Sequence, residues 1–236
     1  MKIWKIIESS FNFSVFLIFK SMRQPQIKTY NKQPLNPNLS YQGAAGAANH
    51  VSWKPGTMIY PLPAVMISCG ETEEEYNIIT VSWVGTICTN PPMCYISVRP
   101  ERHSYETIKR TGEFVINLTN EELAQATDWC GVRSGKDFNK FKEMNLTARK
   151  GEEVNAPIIT QSPLCIECKV KEINPLGSHD MFIAEVVNVQ ADSRYIDKET
   201  DKFDLQKAKL ITYSHGHYYK IGEEIGRFGW TVRKRK

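Results

Sequence analysis

The feature that most constrains the fold of this 236-residue chain is a succession of short segments rich in apolar, β-branched and aromatic residues. Segments of this length and composition, bounded by Pro, Gly and acidic residues, predict β-strands. No regular alternation of strands with helices accompanies them. This argues for a β-barrel with helical insertions and against a doubly wound parallel sheet. The predicted strands are residues 64–69, 78–87, 93–98, 114–118, 164–170 and 181–189.

Three short helices are predicted between these strands from their capping residues. Ser104 stands where a helix N-cap belongs, and Gly112 stands where a C-terminal glycine belongs. Asn120 and Asp137 are the predicted N-cap residues of the second and third helices. We therefore expect the helices to be insertions in a mainly β domain.

The charge of the chain and its N-terminal apolar run argue against nucleic acid and membranes as partners. The formal net charge is +4, and the last four residues are all basic, so the rest of the chain is close to neutral. A basic face of the kind that nucleic acid requires is therefore absent from the sequence. The apolar run within residues 1–20 is interrupted by Glu8-Ser9-Ser10 and is shorter than the ~20 residues that span a bilayer, so no membrane association is expected.

The N-terminal region is expected to lie outside the folded domain. We interpret residues 1–50 as an extension or mobile arm, because they lack a periodic apolar face, and we expect Met22 to be the true start. The alternative for residues 1–21 is a signal peptide or a weak anchor. Residues 51–236 are predicted to form one domain, with a cytoplasmic location.

The cysteines and histidines do not predict a metal or redox centre. Cys165 and Cys168 have the spacing of a redox or zinc pair, but the flanking alternation indicates a strand, in which residues three apart point to opposite faces. We interpret them as structural thiols. His215 and His217 have no third ligand nearby in sequence and are interpreted as surface residues of a loop.

The strand that begins at Asn77 carries an unusual set of polar side chains. In a regular strand Asn77 and Trp83 share one face, and Thr80 and Ser82 share the other. An amide and an indole on one face suit a planar heteroaromatic ring, because the indole offers apolar contact and the amide can pair with polar ring atoms. The alternative is a half-buried strand with hydrophobic filling, and these residues alone favour that alternative.

The segment before the first helix suits an anion. Arg99, Arg102 and Ser104 precede or begin a helix whose first backbone N–H groups point outward, and together they resemble a phosphate site. A simple N-cap serine with incidental surface arginines is the alternative. A ring-suited strand followed by a phosphate-suited helix start favours a phosphorylated planar cofactor.

Five stretches of the chain carry a resemblance to a known family. They are NIITVSWVGTICTNPPMCYISVRPERHSYETIKRTGEFVINL (77–118), CGVRSGKDFNKF (130–141), SPLCIECKV (162–170), GSHDMFIAEV (177–186) and KAKLITYSHGHYYKIGEEIG (207–226). On these stretches the chain resembles the flavin reductase-like, FMN-binding split-barrel family, in particular its flavoredoxin-type branch. The resemblance covers residues 53–230 in the expected order, which is nearly the whole predicted domain. It implies a mainly β fold, a split β-barrel of Greek-key type.

The resemblance also implies roles for individual residues. Trp83 falls at a position that contacts flavin, and Ser104 stands at a hydroxyl position that serves the phosphate. The C-terminal segment near Tyr213 approaches the cofactor in relatives. Hydride transfer to a flavin needs no protein nucleophile or general base, so no catalytic residue is expected. The full set of expected cofactor-binding residues is Asn77, Thr80, Ser82, Trp83, Arg99, Arg102, Ser104, Lys140, His179 and Tyr213.

The function that the resemblance implies is the transfer of hydride or electrons from NADH or NADPH through FMN to a flavin or another acceptor. A homodimer with FMN at the subunit interface is expected. The alternative is an FMN-binding electron carrier that has no nicotinamide activity of its own and is reduced by a protein partner. A barrel like that of pyridoxamine-phosphate oxidase is a third interpretation, which the N-x-x-T-x-S-W strand and the R-P-E-R-H-S segment disfavour.

Overall fold

The computed structural model describes residues 50–232, and the chain divides into two units, residues 1–55 and residues 56–236. The described part of the first unit, residues 50–55, contains no helix or strand. Apart from His50, the predicted arm with Met22 lies outside the described residues, as does the basic run 233–236.

The second unit contains mostly strands and a few short helices. Two single-turn 3₁₀ segments, Ser193–Tyr195 and Trp230–Val232, complete it. The helices and strands are β1 Leu62–Pro63, β2 Val65–Cys69, β3 Asn77–Val81, β4 Val84–Cys88, β5 Met93–Val98, α1 His103–Thr111, β6 Glu113–Leu118, α2 Ala124–Val132, α3 Lys140–Glu143, β7 Ala148–Lys150, β8 Pro157–Ile159, β9 Leu164–Pro175, β10 Asp180–Ala191, β11 Ile196–Asp197, β12 Lys202–Phe203, α4 Leu205–Ala208, β13 Ile211–Ser214 and β14 His217–Lys220.

A seven-stranded antiparallel sheet forms the body of this unit, with the order β3-β2-β6-β9-β10-β5-β4. Its two edge strands, β3 and β4, are consecutive in the chain and are joined by only Ser82 and Trp83. Two edges that are two residues apart must lie close together, so the sheet is curled on itself. The Ser97 N–H donates to the Trp83 carbonyl oxygen at 2.8 Å and so extends the pairing of β4 with β5 into this link. The predicted β-barrel is confirmed.

The strand connections are those of a Greek key. β2 to β5 follow one another around the barrel, the chain then crosses to β6 beside β2, and β9 and β10 fill the gap back to β5. β10 therefore lies in the interior of the sheet, as its apolar sequence predicts.

The curled sheet encloses one core and carries another on its outer face. Ile67, Phe114 and Phe182 are fully buried inside, and burial of each such side chain contributes roughly 1.5–3 kcal/mol. On the opposite face of β2 and β3, Met66 and Ile78 pack against α2 and α3. This alternation follows from the period of two along a strand, and it fixes α2 and α3 against the start of β3.

The predicted strand 78–87 is wrong in one respect. Residues 78–81 and 84–87 do lie in strands, but the chain leaves the strand conformation at Ser82 and Trp83, where the barrel edge turns. The predicted shared face of Asn77 and Trp83 therefore does not apply, because it required an unbroken strand.

All three predicted helix N-caps are also wrong, and the N-cap of α2 is Leu123 rather than Asn120. Arg102 occupies the N-cap position of α1 without a side-chain cap, and Ser104 is the second helical residue. The N-cap of α3 is Asn139, whose side chain accepts a hydrogen bond from the Lys142 N–H, rather than Asp137. Asn120 accepts from the Leu123 N–H at 3.1 Å, in the turn before α2 begins at Ala124. Gly112 is the predicted left-handed C-cap, with φ 67°.

The two cysteines of the C-x-x-C segment point to opposite faces of β9, as predicted. Cys168 belongs to the barrel core, and Cys165 packs with Val115 and Val154 on the other side. All six cysteines are free thiols. Within residues 50–232 there is no group of three or more His, Cys, Asp or Glu side chains placed to hold a metal ion. Every helix in the same range is too short or too polar to traverse a bilayer.

Candidate functional site

A cavity of about 230 Å³ lies where α1 begins. Three parts of the chain that are distant in sequence form its walls: the first residues of β3, the segment that leads into α1, and the segment from the end of α2 to α3. Because each wall comes from a different element, the curled sheet and the two outer helices fix its shape. The lining residues are Asn77, Ile79, Arg99, Glu101, Arg102, His103, Ser104, Cys130, Gly131, Arg133, Ser134, Gly135 and Lys140.

Asn77 and Ser104 join two of these walls. The Asn77 Nδ2 donates a hydrogen bond to the Ser104 Oγ at 2.8 Å, and both residues are buried. The bond fixes the start of α1 against the first residue of β3. Both groups keep unused hydrogen-bonding capacity, because an amide has two N–H donors and a hydroxyl can both accept and donate.

Gly135 passes close to the Asn77 side chain. A Cβ atom at position 135 would lie 2.3 Å from the Asn77 Oδ1, a separation that real Cβ atoms do not show. The glycine is therefore needed for the close approach of the third wall and not for an unusual backbone angle. Its backbone therefore packs directly against the Asn77 amide.

Lys140 is a buried cation in the cavity wall. Only 3% of the residue is exposed, and its Nζ donates to the main-chain carbonyls of Ile78 and Cys130, both at 2.7 Å. No carboxylate forms a salt bridge with Lys140 within residues 50–232. Burial lowers the pKa of Lys140 to about 8. An ammonium group has three donors, so two carbonyl partners leave one donor and the positive charge for a ligand.

The rim of the cavity is also positive. Arg99, Arg102 and Arg133 are exposed at its edge, and the one carboxylate there, Glu101, lies 3.5 Å from Arg99. The nine-residue helix α1 opens toward the same cavity with its first N–H groups. A helix N-terminus, guanidinium groups and a buried ammonium together favour an anion such as a phosphate monoester.

Trp83 and His179 form a second feature beside the cavity. Their rings are parallel to within 5°, with centroids 6.1 Å apart. Burial lowers the pKa of His179, and the neighbouring positive charges of Arg99 and Arg102 lower it further. The imidazole is therefore held neutral close to the arginine rim, although neither ring lines the cavity itself.

The structure brings together five of the ten expected cofactor-binding residues. The cavity is lined by Asn77, Arg99, Arg102, Ser104 and Lys140. The other five lie elsewhere.

Thr80, Ser82 and Tyr213 do not line the cavity. The Thr80 Oγ1 donates to the Thr127 carbonyl at 2.5 Å and so anchors α2 to β3. Ser82 is half-buried in the link between β3 and β4. Tyr213 belongs to the small sheet β1-β13-β14, where its ring contacts Tyr60 and Tyr218. A contact of these three with a cofactor remains a prediction.

The segment 130–135 supplies wall residues that the motif analysis did not assign to the site. Cys130, Gly131, Ser134 and Gly135 all line the cavity. The available signal was the C-G-x-x-S-G spacing, in which two glycines permit close approach of the backbone. The backbone of Gly131 packs closely against Thr80. A Cβ atom added at position 131 would lie 3.2 Å from the Thr80 Cβ.

Comparison with known proteins agrees with the geometry. The chain is similar to the solved structure of flavoredoxin of Desulfovibrio vulgaris (Miyazaki F), with a TM-score of 0.73 and 26% identity, covering 78% of this chain and 100% of that chain. It is similar to a putative flavin reductase with a split barrel domain from Shewanella frigidimarina NCIMB 400, with a TM-score of 0.64 and 27% identity, covering 71% and 85%.

A curated relative points in the same direction. The reductase component of 4-nitrophenol 4-monooxygenase/4-nitrocatechol 2-monooxygenase of Rhodococcus opacus is 27% identical over 112 residues, which is 48% of this chain and 57% of that protein. The model of the flavin reductase like domain matches residues 56–222, well over half of the chain. The predicted split barrel is thus confirmed, and the chain belongs to the flavin reductase-like family.

Proposed function

We propose that this protein binds FMN in the cavity at the start of α1 and transfers reducing equivalents from NADH or NADPH through it to a flavin or another acceptor. The observation that carries the proposal is the positively charged cavity that gathers the Asn77–Ser104 pair, the buried Lys140 and three rim arginines. FMN, when bound, supplies a ring that accepts hydride and returns electrons singly or in pairs.

The phosphate end of the cofactor is assigned to the start of α1. Ser104 presents a buried hydroxyl there, and Arg99 and Arg102 supply charge at the rim. A phosphate monoester carries close to two negative charges at neutral pH, so charge-assisted hydrogen bonds and the helix dipole both favour it. These groups bind and orient; none of them is required to move a proton.

The ring end is assigned to the side of Trp83 and His179. An indole stacks on flat heteroaromatic rings, and a neutral imidazole can donate or accept a hydrogen bond at their edge. Lys140 lies in the cavity wall, where its charge favours any ligand that gains negative charge on reduction.

A second copy of the chain is proposed to complete the site. The cavity of about 230 Å³ is smaller than the ~300–1,000 Å³ of typical ligand pockets, so one chain alone encloses only part of a cofactor of this size. Large apolar side chains of the C-terminal segment, including Ile225 and Phe228, are fully or almost fully exposed. A homodimer would cover these side chains, and we propose that the second chain also closes the cavity.

An electron carrier without nicotinamide activity is the second candidate. The similarity to flavoredoxin, which covers the whole of that chain, supports it. The similarity to a monooxygenase reductase component supports the enzyme. Both candidates use the same cofactor site and differ only in the source of electrons.

Anaerobic reduction of the purified, FMN-loaded protein separates the two candidates. Addition of NADH or NADPH is expected to bleach the visible flavin absorbance, and admission of air or of free flavin is expected to restore it. Dithionite serves as the control that the bound flavin can be reduced. Bleaching by dithionite but by neither nucleotide would reject the reductase and leave the carrier.

A further inference from the structure

We propose that the hydrogen bond between Tyr105 and Asp180 is a positioning link that holds the phosphate end and the ring end of the cofactor site at a fixed separation. This inference rests on the FMN function proposed above. It concerns two residues that do not line the cavity and that act through their sequence neighbours.

The bond itself is short and buried. The Tyr105 hydroxyl donates to the Asp180 Oδ2 at 2.5 Å, and the two residues are 5% and 9% exposed. The bond to Asp180 raises the pKa of Tyr105 to about 12, so the phenol keeps its proton throughout the neutral range. A hydrogen bond to a charged group in a dry environment is among the stronger single polar contacts in a protein.

The bond between Tyr105 and Asp180 connects several segments of the site because of where the two residues lie in the chain. Tyr105 directly follows Ser104 at the start of α1, and Asp180 directly follows His179. Asp180 is also paired across the sheet with Val98, the residue before Arg99. Consecutive Cα atoms are ~3.8 Å apart, so one hydrogen bond connects the helix start to the arginine segment and to the His179 end of the β9–β10 hairpin.

Beyond the strand pairs that Asp180 makes with Val98 and Pro175, the hairpin tip has few anchors. Leu176 and Gly177 are exposed at the turn, which is closed by the bond from the Leu176 N–H to the His179 carbonyl at 3.0 Å. The stacked contact of His179 with Trp83 holds the ring end. The bond from Tyr105 to Asp180 is the side-chain hydrogen bond that attaches this tip to α1.

The phenol ring is fixed independently of its hydroxyl. It packs edge-on against Phe182, with centroids 5.4 Å apart and an angle of 78° between the planes. Tyr105→Phe therefore removes the link while it preserves the ring packing. A shift between α1 and the hairpin tip would follow, and only a ligand that must satisfy both ends at once would lose affinity.

FMN and riboflavin distinguish a positioning role from a structural role. FMN needs both ends, whereas riboflavin has no phosphate and uses the ring end alone. Titration of the apo-protein with each flavin, followed by quenching of flavin fluorescence, gives the ratio of the two affinities. In Tyr105→Phe we expect the dissociation constant for FMN to rise about fivefold or more while riboflavin binding changes little, so that the ratio falls.

Three variants complete the test. Asp180→Asn keeps an acceptor oxygen and is expected to hold the ratio near the wild-type value. Asp180→Ala removes the acceptor of the same hydrogen bond. It serves as the test variant if Tyr105→Phe does not fold. Tyr195→Phe removes the hydroxyl of another buried tyrosine, which packs against Phe203 away from the cavity, and is expected to leave both affinities unchanged.

Several outcomes would overturn the link. One is a ratio of FMN affinity to riboflavin affinity in Tyr105→Phe that equals the wild-type ratio. Another is an equal loss of affinity for both flavins in Tyr105→Phe. The third is an affinity ratio in Asp180→Asn that is as low as in Tyr105→Phe. Equal wild-type affinity for FMN and riboflavin is a different failure, because it removes the phosphate site of the proposed function and the link with it.

Discussion

At the scale of single residues, the site depends on two side chains whose roles follow from close packing. The Asn77 amide is bonded to the Ser104 hydroxyl and packs against the backbone of Gly135, and the Lys140 ammonium is bonded to two carbonyls. Neither group can shift without leaving a buried polar atom unpaired, which costs about 1–3 kcal/mol. Changes at or beside Asn77 and Lys140 are therefore expected to have measurable effects.

Gly135→Ala is expected to weaken FMN binding about tenfold, which corresponds to about 1.4 kcal/mol. The added Cβ would lie 2.3 Å from the Asn77 Oδ1 and must displace the amide, so that its bond to Ser104 is lost. Gly222→Ala is the matched control, since no heavy atom lies within 4 Å of its added Cβ. Fluorescence titration with FMN measures both variants, and wild-type affinity in Gly135→Ala would refute the role given to this contact.

Lys140 predicts a specific pH dependence of stability in the cofactor-free protein. Burial lowers its pKa to about 8 in the folded chain, against about 10.4 in an unfolded chain. Between these values the unfolded chain binds more protons, so this residue makes the free energy of unfolding rise with pH. Denaturant unfolding of wild type and Lys140→Met from pH 7 to 10.5 isolates the effect, because other titrations cancel in the difference. A difference in the free energy of unfolding between the two proteins that stays constant from pH 7 to 10.5 would contradict a buried ammonium without a carboxylate partner.

At the scale of elements, β9 is covered on both faces at its start, which its alternating sequence does not predict. The alternation along β9 places Glu167 on the same face as Cys165, among the polar positions of the strand, yet Glu167 is fully buried. Its carboxylate accepts from the N–H groups of Glu152, Glu153 and Val154 at 3.2, 2.7 and 3.2 Å. The Glu167 carboxylate thus holds the segment that passes over β9 at three successive N–H groups.

Two amides of β10 complete the shell around this carboxylate. Asn188 Nδ2 and Gln190 Nε2 donate to the Glu167 Oε1 at 2.9 and 2.5 Å. Burial raises the pKa of Glu167, but the hydrogen bonds lower it by more, so the net pKa is below its ordinary value. A carboxylate of this kind stabilises the fold above its unfolded pKa, and the contribution is lost as the pH falls through the lowered value.

Glu167→Gln is expected to lower the free energy of unfolding by about 1–3 kcal/mol at neutral pH, because an acceptor oxygen becomes a donor that faces other donors. Glu172→Gln, at an exposed position of the same strand, is the control and is expected to have little effect. Urea denaturation at pH 7 and at acid pH is the measurement. The gap between wild type and Glu167→Gln should narrow on acidification, and a gap that is absent at pH 7 would show that the carboxylate does not hold the segment.

At the scale of the whole molecule, the described surface has an apolar region that a single chain does not cover. Ile225, Phe228 and Val232 are 92%, 104% and 82% exposed, and the segment around them forms no strand or α-helix. Exposed apolar side chains grouped in one segment are typical of an interface. This supports the proposed homodimer and the shared cofactor site.

Replacement of Ile225 and Phe228 together by serine is expected to shift the protein from dimer to monomer and to weaken FMN binding. Leu205→Ser, at a half-exposed leucine of α4, is the control for the loss of surface apolarity alone. Sedimentation velocity with and without FMN measures the assembly state. A monomeric wild type that binds FMN would contradict the shared site.

Local patterns predicted the strands well because their causes are local. Met93–Val98 is a β-branched and aromatic run between a Pro-Pro break and a polar segment, and Gly112 ends α1 in the left-handed conformation that glycine favours. The phosphate-suited segment around Ser104 was likewise predictable from its residue types. Resemblance to a family then supplied Lys140, which no local pattern marked.

Other features depend on contacts between distant residues and were not predictable from local pattern. The break at Ser82–Trp83 exists because the two edges of the curled sheet meet there. Ser104 was predicted as a cap, yet its hydroxyl is bonded to Asn77, which lies 27 residues earlier in the chain. The burial of Glu167 likewise requires a segment that precedes β9 to fold back over it.

The proposed cofactor site depends above all on the start of α1 as a phosphate site for a flavin. Titration of the apo-protein with FMN and with riboflavin tests it most directly. One charge-assisted hydrogen bond contributes roughly 1.5–3 kcal/mol, so FMN is expected to bind more than about tenfold more tightly. Replacement of Arg102 and Ser104 by alanine should bring FMN affinity down toward that of riboflavin while riboflavin binding changes little. Equal affinity of the wild-type protein for FMN and riboflavin would contradict the account.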